Sequence, residues 1–164
     1  MEDIISYVVL FVFGLIAVTL YLKHRTRNRD LPLTIQYYPE LRLEVSIQKQ
    51  YGKTQKIIVK LFAKSTVIIG KILVELIDKK RNIESLEIKG ENNQASKLVH
   101  LTNGEAHHFH FNPEFFQEFL KSQKKPFNTF RFVVVSNKGT KYKSHDLALD
   151  KNWSIYKPDS GTYN

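Results

Sequence analysis

The hydrophobic residues of the chain fall into two patterns, a continuous run at the start and an alternating pattern after it. Residues Ile4 to Leu22 form a run of nineteen residues without a charged side chain. At about 1.5 Å of rise per residue, a helix of this length spans roughly 28 Å, which is close to the ~30 Å hydrocarbon core of a bilayer. The run therefore predicts a transmembrane helix.

The charges on the two sides of this run predict its orientation. Four cations follow it at once: Lys23, Arg25, Arg27 and Arg29. The charged residues that precede it are the acidic Glu2 and Asp3. Because a basic flank stays in the cytoplasm, we expect a single-pass protein of the cytoplasmic (inner) membrane, with its N-terminus outside and the rest of the chain in the cytoplasm. The lipid bilayer is then the first predicted partner, and the four cations form a membrane junction with its headgroups.

From residue 30 onwards, apolar and polar residues alternate in short segments. Residues 41–48 alternate strictly, which is typical of a strand with one buried and one exposed face. Further strands are predicted over residues 57–63, 67–77 and 83–88. Pro32 marks the end of the anchor and the entry to the domain, because a helix interior excludes proline.

Two turn sequences predict hairpins in the second half of the chain. Asn103-Gly104 lies between two β-type segments, and Asn-Gly favours a type I′ turn, in which both residues have positive φ. In that register His100 faces His107 across the hairpin. Asn137-Lys138-Gly139 predicts a second hairpin nearer the C-terminus.

One helix is predicted between the two hairpins. Asn112 suits its N-cap, Pro113 its first turn and Glu114 the positive end of its dipole. An apolar stripe follows: Phe115, Phe116, Phe119 and Leu120. This spacing predicts that one side of the helix packs on the core, and the helix is expected to end near Ser122.

These elements predict a mainly β chain in two parts. Residues 1–29 form the transmembrane anchor and basic junction, and residues 30–164 form one antiparallel β-sandwich of immunoglobulin-like type with one short connecting helix. A partly open barrel is the alternative for this domain. The order of anchor, basic junction and β domain is similar to that of many small bacterial membrane proteins, but it carries no motif that is diagnostic of a family.

Composition narrows the possible functions. The chain has no cysteine, which excludes disulfides and thiolate metal sites. It has no Gly-rich phosphate-binding loop and no Gly-x-Ser-x-Gly motif. Lys and Arg outnumber Asp and Glu by 25 to 16, and this balance favours contact with anionic headgroups or nucleic acid. Because the lysine clusters, such as Lys79–Arg81, have few aromatic neighbours for base stacking, nucleic acid is not the partner we expect.

The segment His107-His108-Phe109-His110 is the candidate for a metal site. On a strand, His108 and His110 point to the same face with Cα atoms about 7 Å apart, a spacing that zinc sites use. The sequence does not identify a third ligand. A metal-dependent enzyme or metal sensor centred on these two histidines is therefore an alternative hypothesis, and we predict no metal or other cofactor.

The segment Ser144-His145-Asp146 contains the residue types of a hydrolase triad. Neighbouring residues on a strand point to opposite faces, so these three side chains are not expected to meet. We therefore predict no catalytic residues and no enzyme.

These observations favour a non-catalytic protein-interaction module at the cytoplasmic face of the membrane, acting as a scaffold, regulator or immunity-type factor for an unidentified protein partner. The exposed edge strands of a sandwich are open to an added strand. Trp153, Tyr156 and Tyr163 are the candidate contact residues, because large amphipathic side chains are enriched at interfaces. A membrane-tethered nucleic-acid binder is the remaining alternative.

Overall fold

The computed structural model describes residues 11–21, 30–50, 53–88, 98–123, 126–150 and 153–158. The strands in these ranges are β1 (Asp30–Tyr37), β2 (Leu41–Gln50), β3 (Lys53–Ala63), β4 (Val67–Ile77), β5 (Ile83–Glu87), β6 (Val99–Leu101), β7 (Ala106–Phe111), β8 (Thr129–Ser136), β9 (Lys141–Lys143), β10 (Ala148–Leu149) and β11 (Ile155–Tyr156). The helices are α1, over residues 11–21, and α2 (Pro113–Ser122). The mainly β composition predicted from the alternating pattern is confirmed.

The N-terminal apolar run differs from its prediction. Its described part, α1, has eleven residues and is about 16 Å long at 1.5 Å per residue, roughly half of the hydrocarbon core of a bilayer. Among the described residues, no helix is both long enough and apolar enough to span a membrane. The predictions of a transmembrane helix over Ile4–Leu22 and of a single-pass protein in the inner membrane are therefore wrong. The predicted junction residues Lys23, Arg25, Arg27 and Arg29 lie outside the described residues.

Two antiparallel sheets pack face to face. The first has the strand order β1-β2-β3-β7. In the second, β4 pairs with β8 and β8 with β9, while β5 and β6 pair with the other side of β4. β10 and β11 form a separate two-stranded ladder. The inner faces of both sheets contribute to one core, which contains for example Val45, Val59, Val74 and Phe132, so the predicted antiparallel sheets are confirmed.

The strand order is not that of an immunoglobulin domain. In such a domain one sheet combines strands A, B, E and D, so the third strand of the chain already belongs to the opposite sheet. Here β1, β2 and β3 follow one another in one sheet, and the chain crosses to the second sheet at β4. The immunoglobulin-like arrangement predicted from the sequence is therefore wrong, because the first three strands pair in chain order within one sheet.

β1 occupies residues that the sequence pattern assigned to the entry of the domain. It contains Pro32, which cannot donate a ladder hydrogen bond and is confined to edge strands, strand starts or bulges. β1 is an edge strand, and its register with β2 shifts between Pro32 and Thr34. The proline that excludes a helix interior is thus compatible with a bulged strand at a sheet edge.

The Asn103-Gly104 turn does not close a hairpin. β6 before it pairs with β4, and β7 after it pairs with β3, so the turn carries the chain from one sheet to the other. Of its two residues Gly104 alone has a positive φ, of 85°, whereas a type I′ turn needs two. The predicted pairing of His100 with His107 is wrong, because His100 lies opposite β4 and His107 opposite β3. The second predicted hairpin, at Asn137–Gly139, is confirmed between β8 and β9.

Side-chain hydrogen bonds join the two sheets where β1 approaches β9. The hydroxyl of Tyr38 donates to the carbonyl of Lys143 at 2.6 Å and accepts from its N–H at 2.7 Å. Thr34 Oγ1 accepts from the N–H of His145 at 3.4 Å. The Tyr38 ring also lies edge-on to Tyr142, with ring centroids 5.2 Å apart. These contacts occupy backbone groups of β9 that a further strand would otherwise use.

α2 forms as the sequence predicts and packs on the aromatic part of the core. Asn112 caps it, since its side-chain oxygen accepts from the N–H of Glu114 at 2.8 Å, and the helix ends at Ser122. Phe116 is fully buried, and its ring is stacked on that of Phe132 with centroids 5.4 Å apart. The predicted cap and helix end are confirmed.

Phe116→Ala is expected to lower the free energy of unfolding by about 3–5 kcal/mol, because it removes a buried aromatic side chain and leaves a cavity beside Phe132. Phe115→Ala is the matched control on the same helix. Since Phe115 is 44% exposed, its truncation should change the free energy by no more than about 0.5 kcal/mol. Urea denaturation followed by circular dichroism measures both, and equal losses would contradict this packing of α2.

Candidate functional site

The outer face of the second sheet carries a buried carboxylate, that of Glu75. The residue is 2% exposed, although it points away from the core into which its neighbours Val74 and Leu76 point. Arg131 lies directly opposite on β8, and its Nε donates to Glu75 Oε2 at 2.7 Å. Lys143 Nζ donates to the same oxygen at 3.2 Å. One carboxylate therefore links β4, β8 and β9.

Arg131 also lies near a second acid, because its Nη1 is 3.5 Å from Oδ1 of Asp146. We call the four residues the ion network: Glu75, Arg131, Lys143 and Asp146. A small apolar cluster accompanies it on the same sheet: Leu73, Val133 and Val135. Apolar surroundings reduce screening by water and so strengthen the attraction between these charges.

Two opposing effects act on the pKa of Glu75. Burial by itself raises it, because a buried carboxylate loses its hydration. The hydrogen bonds and charges of Arg131 and Lys143 outweigh this effect and hold the pKa below its ordinary value of 4.5. Glu75 is therefore ionised at neutral pH.

A cleft of about 830 Å³ opens beside the ion network, and we call it the Arg131 cleft. Its charged lining residues are Asp78, Lys79, Arg81, Arg131 and Asp146. Tyr156, which is 44% exposed, lies in its wall. A second cleft of about 410 Å³ also contains Arg131 and extends to Lys143 and His145. Because cations exceed acids in the lining, the Arg131 cleft favours an anionic ligand group.

Arg81 reaches this cleft from a strained backbone position. The turn between β4 and β5 is held by Asp78, whose carboxylate accepts from the N–H and the side-chain amide of Asn82, both at 2.8 Å. These hydrogen bonds lower the pKa of Asp78. Arg81 has a φ of 61°, in the left-handed region where a residue other than glycine costs about 1 kcal/mol or more. Since strained residues concentrate at functional sites, this position marks Arg81 as a candidate.

The free edge of β5 borders the Arg131 cleft. The N–H of Ile88 donates to the carbonyl of Ile72, and the alternation of an antiparallel ladder then turns the backbone groups of Ile83 and Ser85 away from β4. Among the described residues, no strand pairs with this edge. A third cleft, of about 640 Å³, contains Ile83, Ser85 and Phe127. The Arg131 cleft contains Arg131, on the outer face of the sheet, whereas this cleft contains Leu76, on the inner face. Ile83 lines both, so the edge has a cleft on each side.

The neighbouring residues Ser144, His145 and Asp146 have different partners. Ser144 Oγ donates to the carbonyl of His145 at 2.8 Å and accepts from the N–H of Phe132 at 3.0 Å. The ring of His145 is hydrogen-bonded to the amide of Gln36 at 2.7 Å, and Asp146 belongs to the ion network. These contacts differ from the serine–histidine–aspartate chain of hydrogen bonds in a hydrolase triad.

His108 and His110 lie on the outer face of the first sheet, as the alternation of the strand predicts. Both are exposed, and their ring centroids are 6.3 Å apart. His107 points to the opposite face, with the buried Phe109 and Phe111. In the part of the chain that the structure describes, no three His, Cys, Asp or Glu side chains form a group that could hold a metal ion. A single chain therefore offers two ligands here, which do not complete a site.

Trp153 and Tyr156 lie on one C-terminal segment but in different surroundings. The carbonyl of Trp153 accepts from Nε2 of Gln117 at 3.4 Å, and Lys121 Nζ lies 4.7 Å from the centroid of its ring. Trp153 thus fastens the segment to α2, whereas Tyr156 faces the Arg131 cleft. The third predicted contact residue, Tyr163, lies outside the described residues.

The sequence analysis did not select Glu75, Arg131 or Arg81 as site residues, although Arg81 belongs to the basic cluster Lys79–Arg81 that it considered for nucleic-acid contact. Glu75 and Arg131 are each a lone acid or lone cation within an apolar strand, and this signal in the sequence could have identified them. Arg81 has no such signal. Its positive φ is a property of the structure, and the sequence does not distinguish it from the neighbouring Lys79 and Lys80.

The chain has no match in comparisons with known proteins: no family model, no curated protein and no solved structure is similar to it. Its function is therefore inferred from the sites described above.

Glu75→Gln is expected to lower the free energy of unfolding at neutral pH by about 3 kcal/mol, because it leaves the cations of a buried network uncompensated. The pKa of Glu75 is lowered in the folded protein. The contribution of Glu75 to the free energy of unfolding is therefore fully present when the pH is above 4.5, the pKa of the unfolded state. It is lost as the pH falls through the lower pKa of the folded state. Urea denaturation of both proteins over this pH range should show their difference shrinking on acidification.

Glu87→Gln is the control for this experiment, since Glu87 is exposed on the adjacent β5 and should change the free energy by less than about 0.5 kcal/mol. If the difference in free energy of unfolding between wild type and Glu75→Gln stays constant as the pH falls, the ionised carboxylate of Glu75 is not the cause of that difference.

Arg81→Gly is expected to raise the free energy of unfolding by about 0.5–1 kcal/mol. Glycine adopts a positive φ without strain, and the greater conformational entropy of glycine in the unfolded chain offsets only part of this stabilisation. Lys80→Gly, in the same turn but without a positive φ, should instead lower it by about 0.5–1 kcal/mol. Thermal denaturation compares the two, and destabilisation by Arg81→Gly would refute the strain.

Proposed function

We propose that the chain is a non-catalytic protein-interaction module that binds an extended segment of a partner protein as an additional strand on β5. The observation that carries the proposal is the outer edge of β5, with which no strand of the described residues pairs and which has a cleft on each side. A module of this kind serves its partner as a scaffold, a regulator or an immunity-type factor.

The backbone of β5 supports such binding. Ile83 and Ser85 turn their N–H and C=O groups outward, and both side chains are exposed. Main-chain hydrogen bonds to a sheet edge give affinity that does not depend on the side chains of the added strand. An extended segment can therefore add here without displacing a described element.

The two clefts supply specificity. Successive side chains of an extended strand point to opposite faces, so alternate residues of the bound segment enter alternate clefts. The Arg131 cleft favours acidic side chains by its charge. The cleft on the other side of the edge has Leu76, Pro126 and Phe127 in its lining and favours apolar ones. We therefore expect a partner segment in which acidic and apolar residues alternate.

The ion network prepares the cleft for this segment. Glu75 holds the Nε of Arg131 at 2.7 Å and Asp146 lies 3.5 Å from its Nη1, so the guanidinium group is fixed beside the cleft, where its charge attracts a ligand carboxylate. Because Arg131 is already fixed by Glu75, it loses less conformational freedom when a ligand binds.

Selection of peptides from a random display library on the wild-type chain tests the proposal. The selected peptides should alternate acidic and apolar residues. Ser85→Pro removes the outward N–H of the edge, so it should weaken the binding of a selected peptide about tenfold, which corresponds to roughly one hydrogen bond. Fluorescence anisotropy of the labelled peptide measures the affinity.

Ser85→Ala is the matched control, because it removes the hydroxyl and keeps the N–H; its affinity should equal that of the wild type. Arg81→Gly should weaken the binding of acidic peptides although it stabilises the fold. Selected peptides without acidic residues, or equal affinities for Ser85→Pro and Ser85→Ala, would overturn the proposal.

A further inference from the structure

β7 is an edge strand with unusual composition. Among the described residues it pairs with β3 alone, and its sequence Ala106–Phe111 contains no proline, glycine or charged residue. Two of the other edges carry features that oppose pairing between identical sheets. β1 has Pro32 and a bulge, and the outward backbone groups of β9 are occupied by Tyr38.

The backbone of β7 is arranged to accept another strand. The N–H of Ala63, at the end of β3, donates to the carbonyl of Glu105 at 2.9 Å. The alternation of an antiparallel ladder then directs the backbone groups of Ala106, His108 and His110 away from β3. The two residues with exposed imidazoles are therefore also residues whose backbone groups are available for pairing.

A strand identical to β7 fits this edge without repulsion between charges. Antiparallel pairing of two like strands about a two-fold axis is self-complementary, because each residue contact occurs twice. In one register, His108 of each copy lies opposite His110 of the other. Four imidazoles then share one face, about 5.5 Å apart at Cα across the strands and about 7 Å along them.

We propose that two copies of the chain pair through β7 and bind one zinc ion between His108 and His110 of both copies. Zinc takes four ligands in tetrahedral geometry, and imidazole is one of its preferred ligands. Each copy supplies two of the four, so the site is incomplete in one chain and complete in the dimer.

The charges around the pair are compatible with this site. His108 lies opposite Lys60 on β3. Lys60 is paired with Asp30 at 2.7 Å and with Glu44 at 3.4 Å, so two carboxylates compensate the cation that faces His108.

Sedimentation velocity of the full chain, with zinc chloride and with EDTA, tests the proposal. Zinc should double the mass, with one zinc bound per two chains by elemental analysis, and EDTA should reverse the change. The double variant His108→Ala/His110→Ala should lose the response to zinc. Both side chains are exposed, so the variant should fold, and circular dichroism checks this.

His107→Ala is the matched control, since His107 lies on the same strand with its side chain on the opposite face; it should keep the response to zinc. One zinc per chain without a change in mass would overturn the shared site. So would a dimer that forms equally in EDTA, or a double variant that still dimerises with zinc.

Discussion

In each strand, the burial of alternate side chains in the core fixes the direction of the residues between them. Val74 points inward, so Glu75 points outward; Phe109 points inward, so His108 and His110 point outward. Each fully buried apolar side chain stabilises the fold by about 1.5–3 kcal/mol, whereas an exposed ion pair contributes about 0–1 kcal/mol. The apolar residues of the inner faces therefore decide where the polar groups of the outer faces lie.

The ion network shows the electrostatic side of this arrangement. A carboxylate placed on a covered part of the sheet loses its hydration, which costs several kcal/mol unless cations compensate it. Arg131 and Lys143 provide that compensation from two other strands. Such a network adds less to stability than an apolar core of the same volume. Its effect is to hold a guanidinium group at one place beside a cleft, which suits recognition.

The sequence was informative where the signal is local. The alternation over residues 41–48 and the cap at Asn112 depend on neighbouring residues, and β2 and α2 form accordingly. The Asn103-Gly104 turn was misassigned, because local turn chemistry does not determine which distant strand each flank joins. The N-terminal run predicted a membrane-spanning helix, but the described residues contain no helix that is long and apolar enough to span a membrane. Glu75 and Arg131 are visible as lone charges, yet their contact depends on a register across 56 residues.

The strand order also affects the order in which the strands can pair during folding. β1, β2 and β3 follow one another along the chain and pair in that order, and β4 pairs with the next strand, β5. The pairing of β4 with β8 is distant in sequence, with Ile77 opposite Thr129. Distant pairing forms slowly, because the intervening loop must close first. During synthesis from the N-terminus, β4 therefore emerges well before β8. The carboxylate of Glu75 keeps its hydration during that interval and gives it up only when Arg131 arrives.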